Sequence, residues 1–102
     1  MRKLNVKRKW SIIECGSKIW LFVQCPEDKA QCRFEGVACK QVKLGNGKTV
    51  TEEIEDTQVK VFVSSSTMTA EFTVEAGSAD VNLLAKPKYN PLYGNPFTIE
   101  KI

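Results

Sequence analysis

Histidine is missing from this chain of 102 residues. A cysteine or serine nucleophile normally needs a neighbouring base, most often histidine. Cys15, Cys25, Cys32 and Cys39, and the serines at 64–66, therefore lack the usual activating partner. A mixed cysteine–histidine zinc site is excluded on the same ground, and the cysteines contain no C-x-x-C element. Glycine-rich phosphate loops, nucleotide fingerprints and calcium loops are absent as well. The acidic residues Glu52, Glu53, Glu55 and Asp56 alternate along a strand end, as solvated groups do. The expectation is a protein that is not an enzyme and uses no cofactor and no metal.

Long apolar runs are also lacking. The longest, residues 19–23, has the length of a strand, far short of the roughly 20 residues of a membrane helix. The basic start, Met1 to Lys9, is not followed by a continuous apolar segment or a small-residue cleavage site, so it does not read as a signal peptide. No membrane span and a cytoplasmic location are expected. In a reducing compartment the four thiols act as small hydrophobes; a disulfide, if one forms, best ties Cys25 to Cys32. No stretch has helical period and caps, and no repeat is evident.

What is present is alternation. Val59, Val61 and Val63, then Met68, Ala70, Phe72 and Val74, then Val81, Leu83 and Ala85 are apolar at every second position. Period-two patterning places one set of side chains on one sheet face and the other set in water. Residues 2–8 form a first strand with Leu4 and Val6 on one side and Lys3 and Lys7 on the other. Residues 17–24 are apolar on both faces, so Trp20 and Phe22 need a cover as much as Leu21 and Val23 do. Strands at 31–35 and 37–44, interrupted near Gly36, and a last strand from Phe97 complete the set. About eight short strands with little or no helix imply a single domain over residues 1–102, an all-β, antiparallel, immunoglobulin-like β-sandwich.

Turn chemistry suggests strand partners. A three-residue loop at 45–47 with Gly47 left-handed sets Val42 opposite Val50 and Lys40 opposite Glu52. A type II′ turn around Gly77 sets Val74 opposite Val81 and Phe72 opposite Leu83, at the expense of Glu75 opposite Asp80. A connection at 64–67 sets Val61 beside Ala70. Phe72 and Leu21 are expected deep in the core.

Two surfaces are candidates for binding. The segment 86–96 holds three of the four prolines and both tyrosines, and long loops of this kind often carry function. Tyr89, Pro91, Tyr93 and Trp20 are its expected ligand- or partner-binding residues, although the loop also suits a cover over Trp20 and Phe22. If it projects outward, those aromatics and Leu84 form an apolar patch and a homodimer follows; otherwise the protein is a monomer. The second surface is the basic first strand, where Lys3, Lys7 and Lys9 precede Trp10, a combination that suits phosphate contacts beside stacking. Lysines also suit an edge strand that must not pair with other chains. The net charge of +3 is dipolar rather than broadly basic, which argues against a dedicated nucleic-acid binder. The functional expectation is a non-catalytic binding or assembly module that engages a protein or small ligand through residues 86–96. The alternatives are nucleic-acid or anionic-surface binding through the first strand, and a secreted carbohydrate-binding or adhesion-type domain.

Overall fold

The computed structural model describes residues 1–10, 18–64, 69–87 and 97–102. These form nine strands: β1 (Arg2–Arg8), β2 (Trp20–Gln24), β3 (Cys32–Phe34), β4 (Val37–Lys43), β5 (Thr49–Ile54), β6 (Val59–Ser64), β7 (Thr69–Val74), β8 (Val81–Pro87) and β9 (Phe97–Lys101). Among the described residues the one helical element is a 3-10 turn, Glu27–Lys29, in the polar turn after Pro26. The strands make a four-stranded sheet in the order β5-β1-β8-β9 and a five-stranded sheet in the order β3-β4-β2-β6-β7. The fold is the small all-β sandwich that the alternation implies. Its pairs are antiparallel except β1 with β8, which run parallel.

The inward residues are those the period selects. Leu4 and Val6 of β1 and Leu83 and Ala85 of β8 share one buried cluster with Leu21 and Val23 of β2 and Val61 and Val63 of β6. Burying such an aliphatic side chain is worth about 1.5–3 kcal/mol. Both ends of β1 contribute an arginine to the same face. Arg2 is 4% exposed; its Nε donates to the Glu55 carbonyl at 3.2 Å and its Nη2 to the carbonyls of Thr57 and Glu75 at 3.0 and 2.7 Å. Arg8, likewise buried, donates from Nη1 to the Leu44 carbonyl at 3.0 Å. A buried guanidinium is tolerable only when its donors are satisfied, and here backbone carbonyls at the sandwich ends accept from it.

Strand partners differ from the expectation in several places. The turn at 45–48 forms, with the Lys48 amide donating to the Gly45 carbonyl at 3.0 Å and Gly47 at φ 72°. It does not close a hairpin: Val42 pairs with Leu21 in one sheet and Val50 with Val6 in the other. Val74 and Val81 likewise belong to different sheets, paired with Val59 and Leu4. Gly77 is not left-handed, and its amide donates to the Asp56 carbonyl at 2.8 Å. The physical reason is common to both. Alternation decides which side chains turn inward, and inward faces can meet across a sandwich as well as along a sheet. With β7 and β8 in different sheets, Glu75 and Asp80 are not cross-strand partners. β6 and β7 do pair, with Val61 opposite Phe72 rather than Ala70; a two-residue offset keeps every side chain on its face.

The outer face of the five-stranded sheet is covered from within. Glu35 and Gly36, at φ 53° and 77°, form the two-residue turn between β3 and β4, the doubly left-handed geometry of a tight hairpin. This brings Phe34 over Phe22, rings stacked at 4.2 Å, with its other contact edge-on to Phe62 at 5.1 Å. Phe22 and Phe62 are buried as a result. The cover over Phe22 is therefore Phe34, whereas residues 88–96 of the aromatic segment lie outside the described residues. Leu84 pairs with Lys7 on the opposite sheet, so it shares no patch with Trp20 and Phe22.

Phe72 is half-buried on β7, an edge strand, and packs against the margin of the core, while Leu21 is fully buried at its centre. Leu21→Ala is expected to cost about 2–5 kcal/mol and Phe72→Ala distinctly less, with Thr73→Ala least of all. Urea midpoints in that order are the expected outcome; a Phe72→Ala midpoint at or below that of Leu21→Ala contradicts this placement.

Candidate functional site: the outer face of the four-stranded sheet

The same alternation that sends Arg2, Leu4, Val6 and Arg8 inward sends Lys3, Asn5 and Lys7 outward. β1 is an interior strand between β5 and β8, so its lysines do not protect an edge; they stand in the middle of a sheet face. Their lateral neighbours follow from the register. Lys3 lies beside Glu53, Asn5 between Thr51 and Asn82, and Lys7 between Thr49 and Leu84. Across the centre runs a polar ladder: Thr51 Oγ1 donates to Asn5 Oδ1 at 2.7 Å, and Asn5 Nδ2 donates to Asn82 Oδ1 at 3.0 Å.

Charge separates along the strand axis. At the Arg2 end lie Glu53, Glu55 and Asp56, the last 4.0 Å from the terminal amino group of Met1. The Lys3 amide donates to Asp80 Oδ1 at 2.9 Å, adding another carboxylate there. At the other end the cations collect. Lys7, Lys9, Trp10, Leu84, Lys86 and Glu100 line one shallow depression. Glu100 pairs with Lys86 at 3.1 Å, while Lys7 and Lys9 make no ion pair among the described residues. The dipole legible in the sequence is thus an end-to-end separation, with one cationic end.

Trp10 is 62% exposed, unusual for the largest apolar side chain. It is nonetheless supported. A Cβ placed on Gly47 would meet Trp10 Cδ1 at 3.3 Å and Cβ at 3.4 Å, so the indole rests on the bare α-carbon of the turn. The backbone before it is pinned, the Arg8 amide to the Lys48 carbonyl at 2.9 Å and the Lys9 amide to the Ala85 carbonyl at 2.8 Å. The result is an open ring with half-buried Leu84 beside it and the ammonium groups of Lys7 and Lys9 nearby. Chemically this suits a ligand that combines a flat face with negative charge.

Of the residues expected from sequence, Lys7 and Lys9 come together with Trp10, and Lys3 stands on the same face toward the acidic end. Trp20 is elsewhere: half-buried, it packs against the Phe22–Phe62 cluster on the opposite face of the sandwich. Tyr89, Pro91 and Tyr93 lie outside the described residues. Glu100 and Gly47 were not legible as site residues, and Leu84 and Lys86, expected in an apolar patch with Trp20 and in the segment 86–96, were not legible as members of this surface, because the register of β8 and β9 and the support of the turn assemble them from distant parts of the chain. Cys25, Cys32 and Cys39 are free thiols on the five-stranded side. No group of three or more cysteine, aspartate or glutamate side chains among the described residues is arranged to hold a metal ion. No helix among them is long and apolar enough to cross a membrane.

Gly47→Ala tests the support of the ring. The added methyl is strained by the positive φ and crowds the indole. Trp10 fluorescence in a Trp20→Phe background should shift and become more quenchable by acrylamide; an unchanged spectrum and quenching constant contradict the contact.

Comparison with protein-family models, with curated proteins and with solved structures returns no match.

Proposed function

We propose that this protein is a non-catalytic binding module whose working surface is the cationic end of the four-stranded sheet, and that its ligand is single-stranded nucleic acid. The observation that carries the reading is the juxtaposition of an exposed, backbone-supported Trp10 with Lys7 and Lys9. Proteins that bind single strands combine aromatic platforms with cationic groups that track the phosphates. The Thr51–Asn5–Asn82 ladder offers donors and acceptors on the same face as the platform. A phosphate at Lys7 and Lys9 would sit where no carboxylate of the described residues pairs with either lysine, whereas Lys86 is held by Glu100. The acidic end at Asp56 and Asp80 repels the same ligand and gives it one place to bind.

An anionic membrane would also be drawn to the lysines, but insertion needs a continuous apolar surface. The large exposed apolar side chains among the described residues are three, Met1, Trp10 and Ile102, and the polar ladder occupies the centre of this face. Stacking uses a single ring well; insertion does not.

The test is a titration of single-stranded oligonucleotides and, separately, of phosphatidylserine vesicles at low salt, followed by Trp10 fluorescence in the Trp20→Phe background. Oligonucleotide binding is expected to quench Trp10 and to weaken as salt rises. Trp10→Ala should lower the affinity about tenfold, since one stacked base is worth roughly 1–3 kcal/mol. Replacing Lys7 and Lys9 by glutamine should flatten the logarithmic salt dependence by about 0.7 for each phosphate no longer neutralised. Binding to vesicles with none to oligonucleotides, or no salt-dependent association with either, overturns the reading.

A further inference from the structure

The opposite face of the sandwich carries a second chemistry, independent of the Trp10 surface. Cys32 of β3 and Cys39 of β4 are direct partners in the antiparallel register. Residues so paired have Cα atoms about 4.5–5.5 Å apart, inside the range of roughly 4.4–6.8 Å that a disulfide spans. Both side chains belong to the outer cluster with Phe22, Phe34 and Phe62, and Cys32 Sγ lies 3.7 Å from the Cys39 carbonyl oxygen. The tight turn at Glu35–Gly36 fixes the two strands against each other, so bridging requires no movement of the hairpin as a whole.

We infer that Cys32 and Cys39 form a reversible thiol–disulfide site, oxidised by exchange with a low-molecular-weight disulfide. The pairing expected from sequence, Cys25 with Cys32, is displaced because Cys25 follows β2, whereas the hairpin register sets Cys39 opposite Cys32.

The two thiols have different roles. Cys39 is fully buried, and burial above all, with the neighbouring Cys32 and Cys25 thiols next, pushes its pKa up to about 11. Cys32 is partly exposed and is the thiol an oxidant can reach. Its thiolate, having given up a proton to solvent, attacks one sulfur of the external disulfide RSSR. An S–S bond forms to Cys32 and the RS–SR bond breaks, expelling one thiolate that takes up a proton as RSH. The Cys39 sulfur then attacks Cys32 Sγ, gives up its proton, and expels the second RSH. Two protein thiols are oxidised and one external disulfide is reduced to two thiols; excess RSH reverses the sequence.

The experiment uses the full chain, reduced and then equilibrated with glutathione disulfide, quenched by alkylation and digested with trypsin. Cleavage after Lys18, Lys29, Arg33 and Lys40 places Cys32 and Cys39 on separate peptides, and Cys25 and Cys15 on two others. The expected result is a linked pair of peptides carrying Cys32 and Cys39 with no retained glutathione, released by dithiothreitol. The link should persist in Cys25→Ser, and Cys32→Ser should leave Cys39 unmodified. A Cys25–Cys32 link, stable glutathionylation of Cys32 without a bridge, or both thiols still alkylated after denaturation in full overturns the inference. Urea midpoints of the reduced Cys32→Ser and wild-type chains establish that the variant is folded; if it is not, the Cys25→Ser digest alone decides, since it either retains the Cys32–Cys39 link or contradicts it.

Discussion

The rest of the structure depends on where β1 sits. Seven residues, Arg2 to Arg8, run through the middle of the four-stranded sheet with β5 on one side and β8 on the other. Their inward set is two aliphatic residues flanked by two arginines, and their outward set is two lysines around an asparagine. The guanidiniums reach carbonyls that belong to the connections of other strands: Glu55 and Thr57 between β5 and β6, Glu75 after β7, and Leu44 after β4. Each bond to a charged donor is worth about 1.5–3 kcal/mol when buried partners would otherwise stay unmade. The arginines thus act as pins at the two ends of the sandwich, and the lysines are left on the outer face as a consequence of the same period.

This division changes the meaning of the basic N-terminus. Read as composition, Arg2, Lys3, Lys7, Arg8 and Lys9 are one cluster of cations. In the fold, two of the five are structural and buried, one stands near carboxylates, and Lys7 and Lys9 remain beside Trp10. The functional surface is therefore smaller than the sequence suggests and better defined. It also gains members that no local motif announces. Leu84 and Lys86 arrive because β8 pairs parallel to β1, and Glu100 arrives because β9 pairs with β8. Gly47 contributes by what it lacks, a side chain that would displace the indole.

Inside and outside were legible from the sequence; partnership was not. Period two identified Leu4, Val6, Leu21, Val23, Val61, Val63, Leu83 and Ala85 as inward, and all are buried. It could not say that the turn at 45–48 leads across the sandwich instead of back along the same sheet, because a turn fixes only the local direction of the chain. Phe72 illustrates the limit: its inward face was legible, but its depth depends on β7 being an edge strand. Phe34 illustrates another. The need for a cover over Phe22 followed from a strand apolar on both sides, yet the supplier is a hairpin whose turn residues, Glu35 and Gly36, both adopt positive φ. Glutamate gives no sequence signal for that conformation.

The interior position of β1 is the claim on which both the buried pins and the exposed platform rest, and amide hydrogen exchange measures it directly. An interior strand has its amides bonded to neighbours on both sides, so they open only with the sheet. The account requires the amides of Leu4, Asn5, Val6, Lys7 and Arg8 to exchange as slowly as those of Leu21, Phe22 and Val23 in the middle of the other sheet. Fast exchange through residues 4–8, of the kind shown by a frayed terminal strand, with Leu21 to Val23 protected, would contradict it.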